Sequence, residues 1–382
     1  MSESPASPSP GNPGDGLRTL SPPVIDAIAG LLPAVLETLD RLLWVQRHLH
    51  PTFAEQLATA LAPATEALVE PLRTMEAVTW PEGLRFIGDR LLDVARQTRG
   101  LATSFVETAR SSADLVDLFR VVRRIARVQE ALYPLTPIFE GVSRWFLDPE
   151  RRDDDALVAR LQAAALHEDE PRTGVLHADN EREARGGFSL YVPETGAGDR
   201  ARPLIVALHG GHGHGRDFLW TWLREARAHD ALLLAPTSQA RTWSIMGRED
   251  IDAERLRQMV EFVATRYPVD LGRVLLTGMS DGATYALLCG LGEATPFTHL
   301  APACGALHPM LLVSGGIRRA KDRPIYLIHG ALDWMFPIAT ARLSRDVLIE
   351  AGARLVYREI ADLSHTYPRE ENPRILEWLA AG

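Results

Sequence analysis

The chain has 382 residues, 46% of them apolar, enough to bury a large core and to make two domains. With 41 Lys and Arg against 50 Asp and Glu, its formal charge of -9 gives no electrostatic footing for nucleic acid or an anionic membrane. Two cysteines, Cys289 and Cys304, exclude a disulfide framework and stand in no metal-ligand spacing, so a reducing, cytoplasmic location is expected.

In chain order, "MSESPASPSPGNPGDG" has neither the basic start nor the apolar run of a secretory signal, and residues 1–20 read as a disordered tail. From 21 to 167 the pattern is helical. Ile25, Ile28, Leu32, Val35, Leu39 and Leu42 step by threes and fours along one face, with Ser21 as a cap and Pro22 in the first turn. Phe53 to Met75 continues helically, but Pro63 and Pro71 each remove a backbone donor, so this helix is expected to kink or split. Leu84 to Phe105 and Leu115 to Leu132 repeat the spacing, and a further helix is expected over Pro149 to Leu166. Four stripes predict an antiparallel bundle that buries its own faces, with an oligomer or partner surface as the alternative use. Every later apolar run reads as broken by charge well before the roughly 18 residues a bilayer crossing needs, so no transmembrane segment is expected.

"HEDEPRTG" (167–174) reads as a linker, and from 168 to 382 the periodicity changes. "GVLHADNEREARGGFSLYVPE" predicts two short strands, and "PLIVALHG", "ALLLAP", "RVLLTG", "PIYLIHG" and "LVYREI" are buried-strand runs. Helical patterns at Asp252 to Tyr267 and Ala283 to Leu291 lie between them. The alternation predicts an α/β fold, a mostly parallel sheet with helices on both faces, preceded by an all-α bundle.

The chemistry-bearing motif is "GMSDG" (278–282), a G-x-S-x-G between a strand and a helix, the context that lifts a serine hydroxyl above a sheet edge. Asp333 follows the strand of "PIYLIHG", and His365 follows that of "LVYREI", giving the chain order Ser280, Asp333, His365. A serine hydroxyl is a poor nucleophile at neutral pH. It needs a histidine to take its proton and a carboxylate to orient the imidazole. Asp362 is the rival acid, and His329 and His308 are rival bases.

On "YPVDLGRVLLTGMSDGA" and the ordered triad, residues 173–382 resemble the α/β-hydrolase superfamily, within it the esterases grouped with phospholipase/carboxylesterases, feruloyl esterases and polyhydroxybutyrate depolymerases. The resemblance implies a serine esterase acting on small-molecule or lipid-like esters through an acyl-enzyme, without cofactor or metal. It also implies that the loop "LHGGHG" after the first central strand supplies one oxyanion N–H, from Gly211 first and His212 next, and that Asp281 supplies the other. Asp281 carries a charge where relatives are often neutral, so anionic acyl groups are expected to be disfavoured. His212, Trp243 and Trp334 are candidate pocket residues. Two other readings stand beside the esterase: a serine peptidase with the same triad, and a metal-dependent hydrolase using "HGGHGHG", which approaches H-x-H-x-D with Asp217 one residue too far along. A chain beginning near Thr173 is expected to keep its activity.

Overall fold

Eight short apolar runs pair into one sheet in the computed structural model, which describes residues 20–111, 115–164, 173–195, 200–246 and 249–381. The strands are β1 (Gly174–Ala178), β2 (Phe188–Val192), β3 (Arg202–Leu208), β4 (Leu232–Pro236), β5 (Val269–Met279), β6 (His299–Ala303), β7 (Pro324–Gly330) and β8 (Arg354–Ile360). They lie in the order β1-β2-β4-β3-β5-β6-β7-β8; β2 runs antiparallel to β1 and β4, and the remaining neighbours are parallel. The expected tail at 1–20 lies outside the described residues apart from Leu20, and so does most of the expected linker.

Helical periodicity in the first part becomes α1 (Pro22–Arg47), α2 (Ala54–Ala67), α3 (Val69–Ala77), α4 (Arg85–Ser111), α5 (Leu115–Arg123), α6 (Ile125–Leu132), α7 (Glu140–Trp145) and α8 (Asp155–Ala164). The expected split falls at Leu68. Pro63 stays inside α2, and Pro71 sits in the first turn of α3, where a missing N–H breaks no helical bond. Ser21 makes no side-chain cap, so α1 starts on Pro22 alone. One expectation needs correction: α1 is long and apolar enough, by length and composition, to cross a bilayer. Its stripe Leu31, Val35, Leu39 and Leu42 is instead buried within the protein, beside α2, α3 and α4.

Period-two alternation assigns each strand residue to a face. Leu204, Val206, Leu208 and Leu276 join the core on one side. There α11 (Ala253–Ala264) and α12 (Asp281–Gly290) cover them, following the short α9 (Gly215–Phe218) and α10 (Leu223–Ala228) on the chain. Ile205, Ala207, Leu233 and Leu275 join the other core, which is continuous with the helical region through Phe105, Tyr191, Trp220 and Trp222. The N-terminal helices therefore pack on one another and on the segment 215–228, which with the C-terminal helix Asn372–Ala381 lies against that face of the sheet. A buried ion network fastens the two parts. Arg227 on α10 donates to Glu194 at 2.9 Å and to the Ser143 carbonyl on α7 at 2.8 Å, and the Tyr133 and Tyr191 hydroxyls also donate to Glu194. Burial alone would raise the Glu194 pKa, but Arg227 and the two hydroxyls hold it below the ordinary carboxylate range.

Candidate active site

The turn after β5 is shaped by what its glycines leave out. A Cβ on Gly282 would stand 2.5 Å from the Leu208 and His209 carbonyl oxygens, and one on Gly278 would stand 2.7 Å from Gly282, so only glycine lets the turn press against the end of β3. Ser280 is held there at φ 57° and ψ -121° as the residue before α12, a conformation that costs a non-glycine residue about 1–3 kcal/mol. It is 8% exposed, at the positive end of the α12 dipole.

Two adjacent parallel strands bring the other members. Asp333, three residues past β7, accepts the Met335 and Phe336 N–H groups on Oδ1 at 2.9 and 2.8 Å, and its Oδ2 accepts from His365 Nδ1 at 2.9 Å. Burial would raise the Asp333 pKa, but the His365 hydrogen bond and charge, with the Phe336 N–H, keep it below the usual value. Gly330 has no room for a Cβ beneath the Leu363 carbonyl, which lets the histidine loop cross directly over β7. With Nδ1 on Asp333, the ring's Nε2 is left for a proton partner. Asp362 is 66% exposed at its side chain and pairs with Arg47 of α1 at 3.1 Å. His329 is buried, contacts the Phe336 carbonyl through Nε2 at 2.7 Å, and has its pKa pushed down by burial. His308 contacts the Ile245 carbonyl at 2.8 Å.

The loop after β3 is organised by His209. This imidazole is buried, contacts the Gly210 carbonyl through Nδ1 at 2.7 Å and accepts the Ser238 N–H on Nε2 at 3.1 Å; burial lowers its pKa to about 3. The Gly210 carbonyl also accepts the Gly213 N–H at 3.0 Å. Among the described residues the N–H groups of Gly211 and Asp281 meet no acceptor. The His212 N–H, the second choice from the sequence, is engaged by the Arg241 carbonyl at 2.9 Å. The Asp281 carboxylate accepts from Thr242 Oγ1 at 2.6 Å, and its Oδ2 stands 2.6 Å from where a Cβ on Gly211 would be, so it faces the loop.

Of the candidate pocket residues, Trp334 is 38% exposed, with its ring 6.3 Å from that of His365 and 6.4 Å from Phe119 of α5. Trp243 needs correction. It is 2% exposed, donates its indole N–H to the His209 carbonyl at 2.7 Å and stacks on Tyr285, so it braces the loop from within the core. The side chain of His212 has no hydrogen bond among the described residues and lies beside Arg185 and Arg241. Sequence reasoning missed the contributions of the helical region: Arg47, whose carbonyl accepts from Thr366 beside His365, and Arg123, which reaches the Gly211 and His212 carbonyls. No local signal marks either, because both contacts span more than eighty residues of chain.

A metal does not fit the "HGGHGHG" loop. Both ring nitrogens of His209 are occupied, His214 contacts the Ala184 carbonyl and accepts the Arg216 N–H, and Asp217 pairs with Arg182. Among the described residues no group of three His, Cys, Asp or Glu side chains could hold an ion.

Residues 246–381 match the family described as Phospholipase/Carboxylesterase. The chain is 23% identical over 199 residues to a bifunctional acetylxylan esterase/xylanase of Neocallimastix patriciarum, a match covering 51% of this chain and 28% of that protein. Among solved structures it is similar to a thermostable esterase (TM-score 0.45, 23% identity, 54% of this chain and 62% of that one). It is also similar to an acetyl xylan esterase from Aspergillus awamori (TM-score 0.42, 13% identity, 55% of this chain and all of that one). The chain thus spans under a third of the curated relative and less than two thirds of the thermostable esterase. Its C-terminal half has the α/β-hydrolase fold, and residues 246–381 within it match the phospholipase/carboxylesterase family.

Proposed function

We propose that the chain is a serine esterase in which Ser280 is the nucleophile, His365 the base and Asp333 its orienting acid. The observation that carries this reading is the His365 to Asp333 hydrogen bond at the strand edge where Ser280 is lifted out of β5. Ser280 Oγ bonds to the ester carbonyl carbon while its proton passes to His365 Nε2, and the carbonyl π electrons move onto oxygen. The Gly211 and Asp281 N–H groups receive that oxyanion. Collapse breaks the ester C–O bond, the departing alcohol takes the proton from His365, and water repeats the cycle to release the acid and free Ser280. Asp333, held ionised by its donors, stabilises the imidazolium in between.

The acyl group is neutral on this reading, because the Asp281 carboxylate lies close to the oxyanion loop. Acetyl esters are the first substrates to try, given the acetylxylan esterase among the relatives. The two cysteines are buried and unpaired, which accords with a cytoplasmic setting. A panel of p-nitrophenyl esters and aminoacyl amides tests the reading: ester turnover is expected, with amides slower by orders of magnitude. Faster turnover of the amides would replace the esterase by a peptidase. Prolonged EDTA treatment is expected to leave turnover unchanged, and a loss restored by zinc would return the loop to metal chemistry.

A further inference from the structure

The helical region reaches the site at several points, and one of them touches the loop that receives the oxyanion. Arg123, the last residue of α5, donates from Nη2 to the Gly211 carbonyl and from Nη1 to the His212 carbonyl, each at 3.3 Å. The peptide plane before Gly211 is fixed from inside the hydrolase domain, since the Gly210 carbonyl meets both His209 Nδ1 and the Gly213 N–H. The plane after Gly211 is fixed differently. Its N–H, on His212, donates to Arg241, and its carbonyl meets Arg123. Gly211 between these planes can rotate with little steric cost, and His212 beyond it is held at φ 55°, a conformation that persists only where its surroundings over-determine it. Arg123 and the Arg241 carbonyl hold the plane after Gly211, which meets at the Gly211 Cα the plane that carries the unpaired N–H, so losing Arg123 loosens one side of that hinge.

We propose that Arg123 is a positioning residue of the esterase site, holding the oxyanion loop from outside the hydrolase fold so that the Gly211 N–H stays aimed where charge develops on the substrate. The proposal rests on the esterase reading. It makes α5 part of the active site, with Arg123 on the oxyanion side and Phe119, one turn earlier on the same helical face, on the Trp334 side. An arginine that only tied the helix to the domain would affect the amount of folded protein, whereas a positioning arginine affects the rate of each folded molecule. Because the loop makes its strongest contact with the substrate oxygen in the transition state, kcat falls and KM hardly moves.

The experiment uses the full chain and two variants. Arg123→Met keeps the apolar stem and removes the donors, and Arg123→Lys restores one donor. Competent sites are first counted by fluorophosphonate titration. Per competent site, Arg123→Met is expected to lower kcat for p-nitrophenyl acetate about 10- to 100-fold, less than the loss of an oxyanion donor itself, with KM within about threefold. Arg123→Lys is expected to recover part of the rate. Affinity for a trifluoromethyl ketone, whose adduct carries the same oxyanion, is expected to fall by the factor lost in kcat/KM. If the wild type is labelled at Ser280 and Arg123→Met keeps its kcat within twofold per site, the positioning role is overturned and the esterase reading stands. If the wild type is not labelled at Ser280, the esterase reading falls and takes the role of Arg123 with it.

Discussion

At the scale of single residues, two aspartates separated by twenty-nine positions divide the work around His365. Asp333 is buried, accepts three hydrogen bonds and orients the imidazole, so Asp333→Asn is expected to cost about four orders of magnitude in kcat, as the change of tautomer does in other triads. Asp362 is exposed and pairs with Arg47, a contact worth about 0–1 kcal/mol, so Asp362→Asn is expected to leave kcat within about threefold and lower Tm slightly. Steady-state kinetics on the two variants separates them, and a larger loss at Asp362 would reverse the assignment. His209 gives a prediction of a different kind. It must stay neutral to accept the Ser238 N–H, and burial sets its folded pKa at about 3 against about 6.5 unfolded. The unfolded chain therefore binds the extra proton across this window. Stability is complete above pH 6.5 and is lost as pH falls toward 3, by about 1.4 kcal/mol per pH unit for this one group. Burial shifts His177, His214, His299 and His329 in the same direction, so the native slope is a sum. Urea unfolding at pH 6.5 and 5 is expected to show a shallower loss for His209→Gln by about one group's share; an unchanged slope would mean that the ring is already protonated in the fold.

At the scale of elements, α5 borders the site through Phe119, which is half-buried against Trp334, itself beside His365. Phe119→Ala is expected to raise the ratio of kcat/KM for hexanoyl over acetyl esters about tenfold, within the range a few methylenes command in an apolar pocket. No change in that ratio would place the acyl chain elsewhere. Element by element, the strands were legible wherever the run was apolar and unbroken, as in β3, β4, β5 and β7. The strand β6 escaped because "HLAPA" holds a proline and no β-branched residue, although every one of its residues is buried in the middle of the sheet. Tertiary burial overrides propensity there. The three residues proposed as a triad could be picked from the sequence because each is a fixed residue type just past a strand. Trp243 was misplaced for the opposite reason: an aromatic residue beside a catalytic loop reads the same whether it faces substrate or core.

At the scale of the whole molecule, the two parts share one hydrophobic core and one buried ion network. The expectation that a chain starting near Thr173 keeps its activity changes accordingly. Such a chain would strip Tyr133 and Phe146 from the face of Trp220 and would leave Arg227 without Ser143. It would also lose Arg47 and Arg123 from the two site loops. Its expected outcome on expression is insoluble protein, and a soluble product with full esterase activity would show that the helices are dispensable. The stripes in the sequence could announce a bundle but not its partner, because periodicity gives the buried face of a helix and not what covers it. The measurement that tests the central claim most directly is peptide mapping of the full chain after inactivation by a fluorophosphonate. One adduct per chain is expected, on the peptide containing Ser280, in proportion to the activity lost and absent from Ser280→Ala; an adduct on another serine, or ester hydrolysis by Ser280→Ala at the native rate, would contradict it.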